Sequence, residues 1–288
     1  MDVSSLFVSA PSKSINTLGM GMFDGIHRGH QHVLFNCDTL LTFYPHPREF
    51  LSHLDQFFYL TPLNEKIKLF NHVVVLKFDE YLSQLSPVEF LTLVRSLLSP
   101  RKIVVGYDFK FGKDRLGSVD DLVSWGQSNK IEIEVKEPYL ESGKPIKSSM
   151  VRHYVQLGDI KSANHLLGRS YGVLGTVVQG DQRGRRLGFP TANLMISSDK
   201  LLPRQGVYFG LTTVAGRVYR SALSIGMQST FDVQKMVVEV HLIGFDGDLY
   251  GEEILVEVHQ FIREQSKFES ANSLKDQIRF DIQLINSL

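Results

Sequence analysis

Thr17-Leu18-Gly19-Met20-Gly21-Met22-Phe23-Asp24-Gly25-Ile26-His27-Arg28-Gly29-His30 is the stretch on which the fold of the first half turns. Its apolar opening, Thr17 to Phe23, predicts a strand, and the glycines after it allow a tight turn before a helix that begins around Arg28. Backbone donors at such a turn face an anion. His27 and His30, three residues apart, fall on one side of the first helical turn, where free amides and the helix dipole favour phosphate. The pair is therefore a candidate for stabilising charge on a nucleotide phosphate, in a loop that contains Gly21, Phe23, Asp24 and Gly25.

Outward from this turn, short apolar runs alternate with helical patterns: Thr39 to Phe43, Val73 to Leu76, Ile103 to Val105 and Ile131 to Val135 read as strands. That alternation predicts a Rossmann-like α/β layer, a parallel sheet covered by helices. Ser86, Pro87 and Glu89 form a capping box with proline at the first helical position, and Ser118 with Asp121 starts another helix. Ser142-Gly143 reads as a turn, and two short helices separated by Gly158-Asp159 lead out of this half. Beyond residue 165 the pattern changes in kind. Tyr171 to Val178, Ala192 to Ile196, Val207 to Thr213, Val218 to Ile225, Val237 to Ile243 and Ile254 to Ile262 are strands with turn signals between them, which predicts a small six-stranded antiparallel barrel. Leu274, Ile278, Ile282 and Ile285 lie on one stripe of a C-terminal helix expected to cover an open face of that barrel. The expected domains are 1–164 and 165–288.

Composition narrows the function. The 288 residues carry 31 Lys+Arg and 31 Asp+Glu, so the chain has no field to hold a polyanion, and neither nucleic acid nor a membrane is an expected partner. The lone Cys37 excludes a disulfide framework and a cysteine-based zinc site, and fits a reducing compartment. The first 18 residues lack a basic region followed by an apolar one, and no run of 18 apolar residues occurs, so a cytoplasmic protein is expected.

Four segments of the first half, in order, carry a resemblance: GMFDGIHRGH, TFYPHP at Thr42 to Pro47, GYDFKFGKDRLG at Gly106 to Gly117, and SSMVR at Ser148 to Arg152. FDGxHxGH is the HxGH signature of nucleotidyltransferases, and the set resembles the prokaryotic bifunctional riboflavin kinase/FMN adenylyltransferase (FAD synthetase) family. The second half is similar to the same family's kinase module through LLGRSYGVLGTVVQGDQRGRRLGFPTANL at Leu166 to Leu194, with MVVEVHLIGF, DLYGEEI and FIREQSKF further on. Taken singly, Ser148 also suits a helix cap, Pro45 and Pro47 suit turns, and Asp108 suits a loop cap.

The resemblance implies that Ser148, Ser149 and Arg152 touch the ATP phosphates, Arg152 among the catalytic groups with His27 and His30, and that Pro45, Asp108 and Phe109 lie toward the flavin. In the kinase half, Gly180, Gly184 and Gly188 with Arg183, Arg185 and Arg186 make a cationic loop able to fold over phosphates. Thr191 and Asn193 offer the hard oxygen ligands that suit Mg2+ beside ATP. On MVVEVHLIGF, alternation puts Val238, Val240 and Leu242 on one face and Glu239 and His241 on the other; Glu239 resembles the family's catalytic base, and Arg263 is implied to order the flavin and loop side.

Departures from the family pattern are also legible. Only eleven residues separate His30 from Thr42, near the lower limit for a strand-helix-strand crossover. Tyr44, Met150, Gln179, Ser224 and Ser229 replace residues usual in the family. The expected function is two-step FAD synthesis: ATP·Mg2+ phosphorylates riboflavin to FMN, then a second ATP donates AMP to FMN, giving FAD and pyrophosphate. The alternatives are a nucleotidyltransferase for another small phosphate acceptor, and a riboflavin kinase or flavin-binding protein with a degenerate adenylyltransferase half. Oligomeric state is not legible in the sequence.

Overall fold

Parallel strands covered on both faces by helices must be apolar throughout, and the short runs of the first half meet that demand. In the computed structural model, which describes residues 6–9, 14–54, 56–180, 184, 187–230 and 233–288 (the backbone alone at 228–230 and 233–235), they form one six-stranded sheet. Its strands are β1 (Phe7–Ser9), β2 (Thr17–Met20), β3 (Thr39–Tyr44), β4 (Val73–Lys77), β5 (Lys102–Gly106) and β6 (Glu132–Lys136), in the order β1-β4-β3-β2-β5-β6. β1 runs antiparallel to β4, and the other neighbours are parallel. Leu18, Leu40, Leu41, Val75, Ile103 and Val105 are fully buried between the helical layers.

β2 is shorter than the apolar run predicts. It stops at Met20, and by Phe23 the backbone has turned to φ 49°. The short crossover closes all the same: α1 (Arg28–Leu34) makes two turns, and β3 then pairs in parallel register with both β2 and β4. The other helices are α2 (Pro47–Leu51), α3 (Leu63–Leu69), α4 (Glu80–Gln84), α5 (Pro87–Leu98) and α6 (Val119–Asn129). Both expected capping boxes form, Ser86 with Glu89 on α5 and Ser118 with Asp121 on α6. Ser142-Gly143 is the turn of a small hairpin, β7 (Leu140–Glu141) with β8 (Lys144–Pro145).

The chain forms two compact units, Met1–Ser148 and Ser149–Leu288. The boundary falls at the first residue of α7 (Ser148–Leu157), and the rest of that helix with α8 (Ile160–Leu167), which packs on barrel strands, goes with the barrel. Six antiparallel strands close that barrel: β9 (Tyr171–Val178), β10 (Ala192–Ile196), β11 (Gly206–Val214), β12 (Arg217–Thr230), β13 (Val233–Leu242) and β14 (Glu253–Arg263), ordered β10-β13-β12-β11-β14-β9 with β9 pairing back to β10. β12 and β13 run past their expected limits, because pairing from Ser221↔Leu242 to Thr230↔Val233 satisfies backbone groups where side-chain alternation has faded.

α9 (Ala271–Ser287) does not cover an open face, since the barrel is closed; it lies against the outside of β12. Ile285 on its stripe is fully buried, and the same side buries a carboxylate, Asp281. Among the described residues, no helix is long and apolar enough to cross a membrane.

Candidate active sites

The order β4-β3-β2-β5-β6 reverses direction between β2 and β5, since the chain steps outward from β2 to β4 and then returns to β5. Loops beyond the C-terminal ends of parallel strands form a crevice at such a reversal. Residues Gly21 to His27 come after β2, Pro45 after β3, and Asp108 and Phe109 after β5, so the topology gathers the first-half candidates at one edge.

The loop after β2 is held in unusual backbone. Phe23 (φ 49°) and Ile26 (φ 40°) lie in the left-handed region, at a cost of about 1–3 kcal/mol each. Gly25 has φ 89°, which a side chain would resist. The loop stays in place because Phe23, Asp24 and Ile26 are buried, the Asp24 carboxylate accepts a hydrogen bond from the Thr61 N–H (3.2 Å), and Ser148 Oγ donates to the Asp24 carbonyl (2.8 Å). Ser148 thus opens α7 while its hydroxyl secures the loop; Ser149 and Arg152 lie on the first turns of that helix.

His27 caps α1, its Nδ1 accepting from the His30 N–H at 3.3 Å, and the two imidazoles stack with centroids 3.6 Å apart. Gly29 leaves room beside the stack: a Cβ there would sit 3.2 Å from the His27 ring, a tight contact. His30 is half-buried, but its Nδ1 is shut off from solvent and finds no hydrogen-bond partner among the described residues. Burial first, then the neighbouring His27 and Lys66, hold its pKa well below the usual histidine value, so the ring is neutral near pH 7. A buried polar atom without a protein partner calls for one from outside the chain, whether water, ion or ligand.

Lys66, on α3, escaped the sequence reading. It is 3% exposed, and its ammonium donates to the Met22 carbonyl (2.8 Å) and to Thr42 Oγ1 (3.3 Å). Nothing in LNEKIKL marks one of its two lysines as interior. The TFYPHP segment has a local explanation: His46 caps α2 by accepting from the Arg48 N–H, Pro47 occupies its first turn, and Tyr59 accepts from the His46 N–H (2.7 Å) while donating to Glu49 (2.6 Å). Phe109 stacks on Phe111, and its N–H returns to the Gly106 carbonyl.

In the barrel, Asn193 on β10 and Glu239 on β13 are direct cross-strand partners, and Ser224 on β12 faces Glu239 from the other side. Leu194, Val238, Val240 and Leu242 point into the core, so Asn193 and Glu239 share the outer face. The loop before β10 crosses the same face, since His241 Nδ1 lies 2.7 Å from the Pro190 carbonyl. Two glycines admit it: a Cβ at Gly180 would stand 2.2 Å from the Asn193 amide, and one at Gly184 would stand 2.4 Å from the Phe189 carbonyl and 3.2 Å from Thr191 Oγ1. Gly188 turns at φ 88° nearby in sequence. Arg183, Arg185 and Arg186 lie outside the described residues.

Arg263 is engaged elsewhere than toward this face. Its Nε and Nη2 grip the buried Asp281 carboxylate of α9 at 2.8–3.0 Å, and Nη1 donates to the Glu264 carbonyl. Among the described residues, no group of three or more His, Cys, Asp or Glu side chains is placed to hold a metal. Thr191 and Asn193 remain as neutral oxygen donors that suit a cation arriving with a nucleotide.

Comparison with known proteins now decides the family. Residues 9–150 match the FAD synthetase family and residues 167–288 the riboflavin kinase family. Over 283 residues the chain is 34% identical to the bifunctional riboflavin kinase/FMN adenylyltransferase of Listeria monocytogenes, an alignment covering 92% of this chain and 90% of the relative. The chain belongs to the bifunctional riboflavin kinase/FMN adenylyltransferase family. The member from Bacillus subtilis is 34% identical, with 93% of this chain and 90% of that one covered. A crystal structure described as a macrolide-efflux protein from Streptococcus pneumoniae superposes with a TM-score of 0.81 at 28% identity, covering 96% and 95% of the two chains. With both catalytic domains of the family, the chain is a transferase of FAD biosynthesis, a riboflavin kinase and an FMN adenylyltransferase.

Proposed function

We propose that residues 1–164 carry adenylyl transfer and residues 165–288 carry the kinase reaction, and that Asn193 and Glu239 form the heart of the kinase site. Their pairing on one outer face is the observation that carries this reading. Glu239 takes the proton from the ribityl 5′-hydroxyl as that oxygen attacks the γ-phosphorus of ATP. Thr191 and Asn193 would hold Mg2+ arriving with ATP, which would supply charge neutralisation at the phosphates. Gly180, Gly184 and Gly188, with Arg183 and Arg185, cover the phosphates. Arg263 orders the flavin side through α9, because its guanidinium is taken by Asp281.

In residues 1–164 the FMN phosphate attacks the α-phosphorus of a second ATP directly, and pyrophosphate leaves. No protein nucleophile is required, so positioning and charge stabilisation supply the rate. His27, His30, Ser148, Ser149 and Arg152 serve the phosphates, the loop Gly21, Phe23, Asp24 and Gly25 cradles them, and Pro45, Asp108 and Phe109 line the flavin side. The buried Nδ1 of His30, without a partner among the described residues, supports this assignment. The balanced charge fits a cytoplasmic enzyme whose partners are small molecules rather than nucleic acid or membrane. Chromatography after adding riboflavin, ATP and Mg2+ tests the reading: FAD is expected, FMN alone would leave only the kinase, and neither product would remove both assignments.

A further inference from the structure

Lysine is an expensive residue to bury, and Lys66 is buried against the loop that leads into the histidine pair. Its two acceptors belong to different segments: the Met22 carbonyl lies in the loop after β2, and the Thr42 hydroxyl, which itself donates to Met22 O at 3.0 Å, lies on β3. One ammonium on α3 therefore joins three elements at the crevice edge. The groups coupled to it electrostatically are Asp24 in the loop, which favours its charge, and His30 on α1, whose protonation it opposes together with His27. Filling space would need no charge at this position, and tying Met22 to Thr42 is already done by the threonine hydroxyl.

We propose that Lys66 is a positioning residue for adenylyl transfer: its ammonium fixes the Gly21–His27 loop against β3 and α3, and its positive charge adds to the surroundings of His30 that oppose protonation of the imidazole meeting the nucleotide. The proposal rests on assigning His27 and His30 to that reaction. Burial pushes the Lys66 pKa down to about 8, which leaves it largely charged at neutral pH, as this role requires. Lys66 touches no reacting atom and acts through the loop and through His30.

The test uses the full chain as wild type, Lys66→Met and Lys66→Arg, measuring FMN-to-FAD turnover with ATP·Mg2+ across pH, with thermal unfolding recorded in parallel. Lys66→Met is expected to lower kcat by roughly ten- to a hundred-fold with KM for ATP changed less than about threefold, the pattern of lost positioning. The acidic limb of its kcat profile is expected to move to higher pH, because His30 takes a proton more readily once the cation is gone. Lys66→Arg, which keeps the charge, is expected to return that limb to its wild-type position. Wild-type kcat in Lys66→Met, a lowered kcat with an unmoved limb, or an arginine variant whose limb stays displaced would each overturn the proposal. Should Lys66→Met fail to fold, the limb of Lys66→Arg decides alone: a wild-type position supports it and a displaced one overturns it. Wild-type protein that makes no FAD from FMN removes the underlying assignment, and the proposal with it, whereas an active wild type with an unchanged Lys66→Met removes the proposal only.

Discussion

Asn193 and Glu239 stand directly opposite each other on β10 and β13, with their inward neighbours Leu194, Val238 and Val240 buried in the barrel. Opposed residues of antiparallel strands hold their Cβ atoms about 5 Å apart, so an amide oxygen and a carboxylate share one patch of the barrel wall. Glu239→Gln keeps the shape and removes the proton acceptor. Riboflavin phosphorylation is expected to fall by roughly two to four orders of magnitude, the usual worth of a general base, while FAD formation from supplied FMN persists. Near-normal kinase turnover would remove Glu239 from the base role.

Gly180 tests the same patch from below. A methyl group there would collide with the Asn193 amide at 2.2 Å. Gly180→Ala is expected to displace Asn193 and lower kinase turnover by roughly ten- to a hundred-fold without changing circular dichroism. The assay is riboflavin-to-FMN conversion over a range of Mg2+ concentrations; unaltered turnover at every concentration would dissociate Asn193 from the reaction.

For the first unit, His27→Ala combined with His30→Ala is expected to let FMN accumulate from riboflavin while FAD does not appear. Loss of both reactions in a protein that remains folded would contradict the division between units.

His30 also sets a pH dependence of stability. Its folded pKa lies below the unfolded value of 6.5, so as pH falls through that value the unfolded chain takes up a proton that the folded chain refuses. The stability of the first unit is therefore present above about pH 6.5 and declines below it. Thermal unfolding between about pH 5 and pH 8 should show this slope, flattened in His30→Gln, which carries no titrating group.

Arg263 and Asp281 join β14 to α9 through an ion pair whose carboxylate is 5% exposed. Asp281→Ala leaves a cation partly buried without its partner, and a loss of about 3 kcal/mol in the stability of the second unit is expected. Arg263→Met with Asp281→Leu should recover most of it. A double variant as unstable as the single one would show that the pair contributes more than its own geometry.

What could be read along the chain was whatever local periodicity and local chemistry dictate. β9 and β10 have the limits their alternation predicts, the Ser86–Glu89 and Ser118–Asp121 boxes cap the helices they announce, and Ser142-Gly143 turns a hairpin. The outward placing of Glu239 followed from period-two alternation alone, because neighbouring residues on a strand must face opposite ways. Pairing across strands has no such local trace. That Glu239 meets Asn193, forty-six positions earlier, depends on the register that closes the barrel. The burial of Lys66 and Asp281 was equally hidden, since a charged residue on a short helix or an apolar stripe reads as solvated until the fold brings Met22 and Thr42 to one and Arg263 to the other. The stacked His27 and His30 lie between these cases: their spacing announced a pair, but only the folded unit, through burial and then the nearness of His27 and Lys66, makes His30 neutral and leaves its Nδ1 without a partner among the described residues.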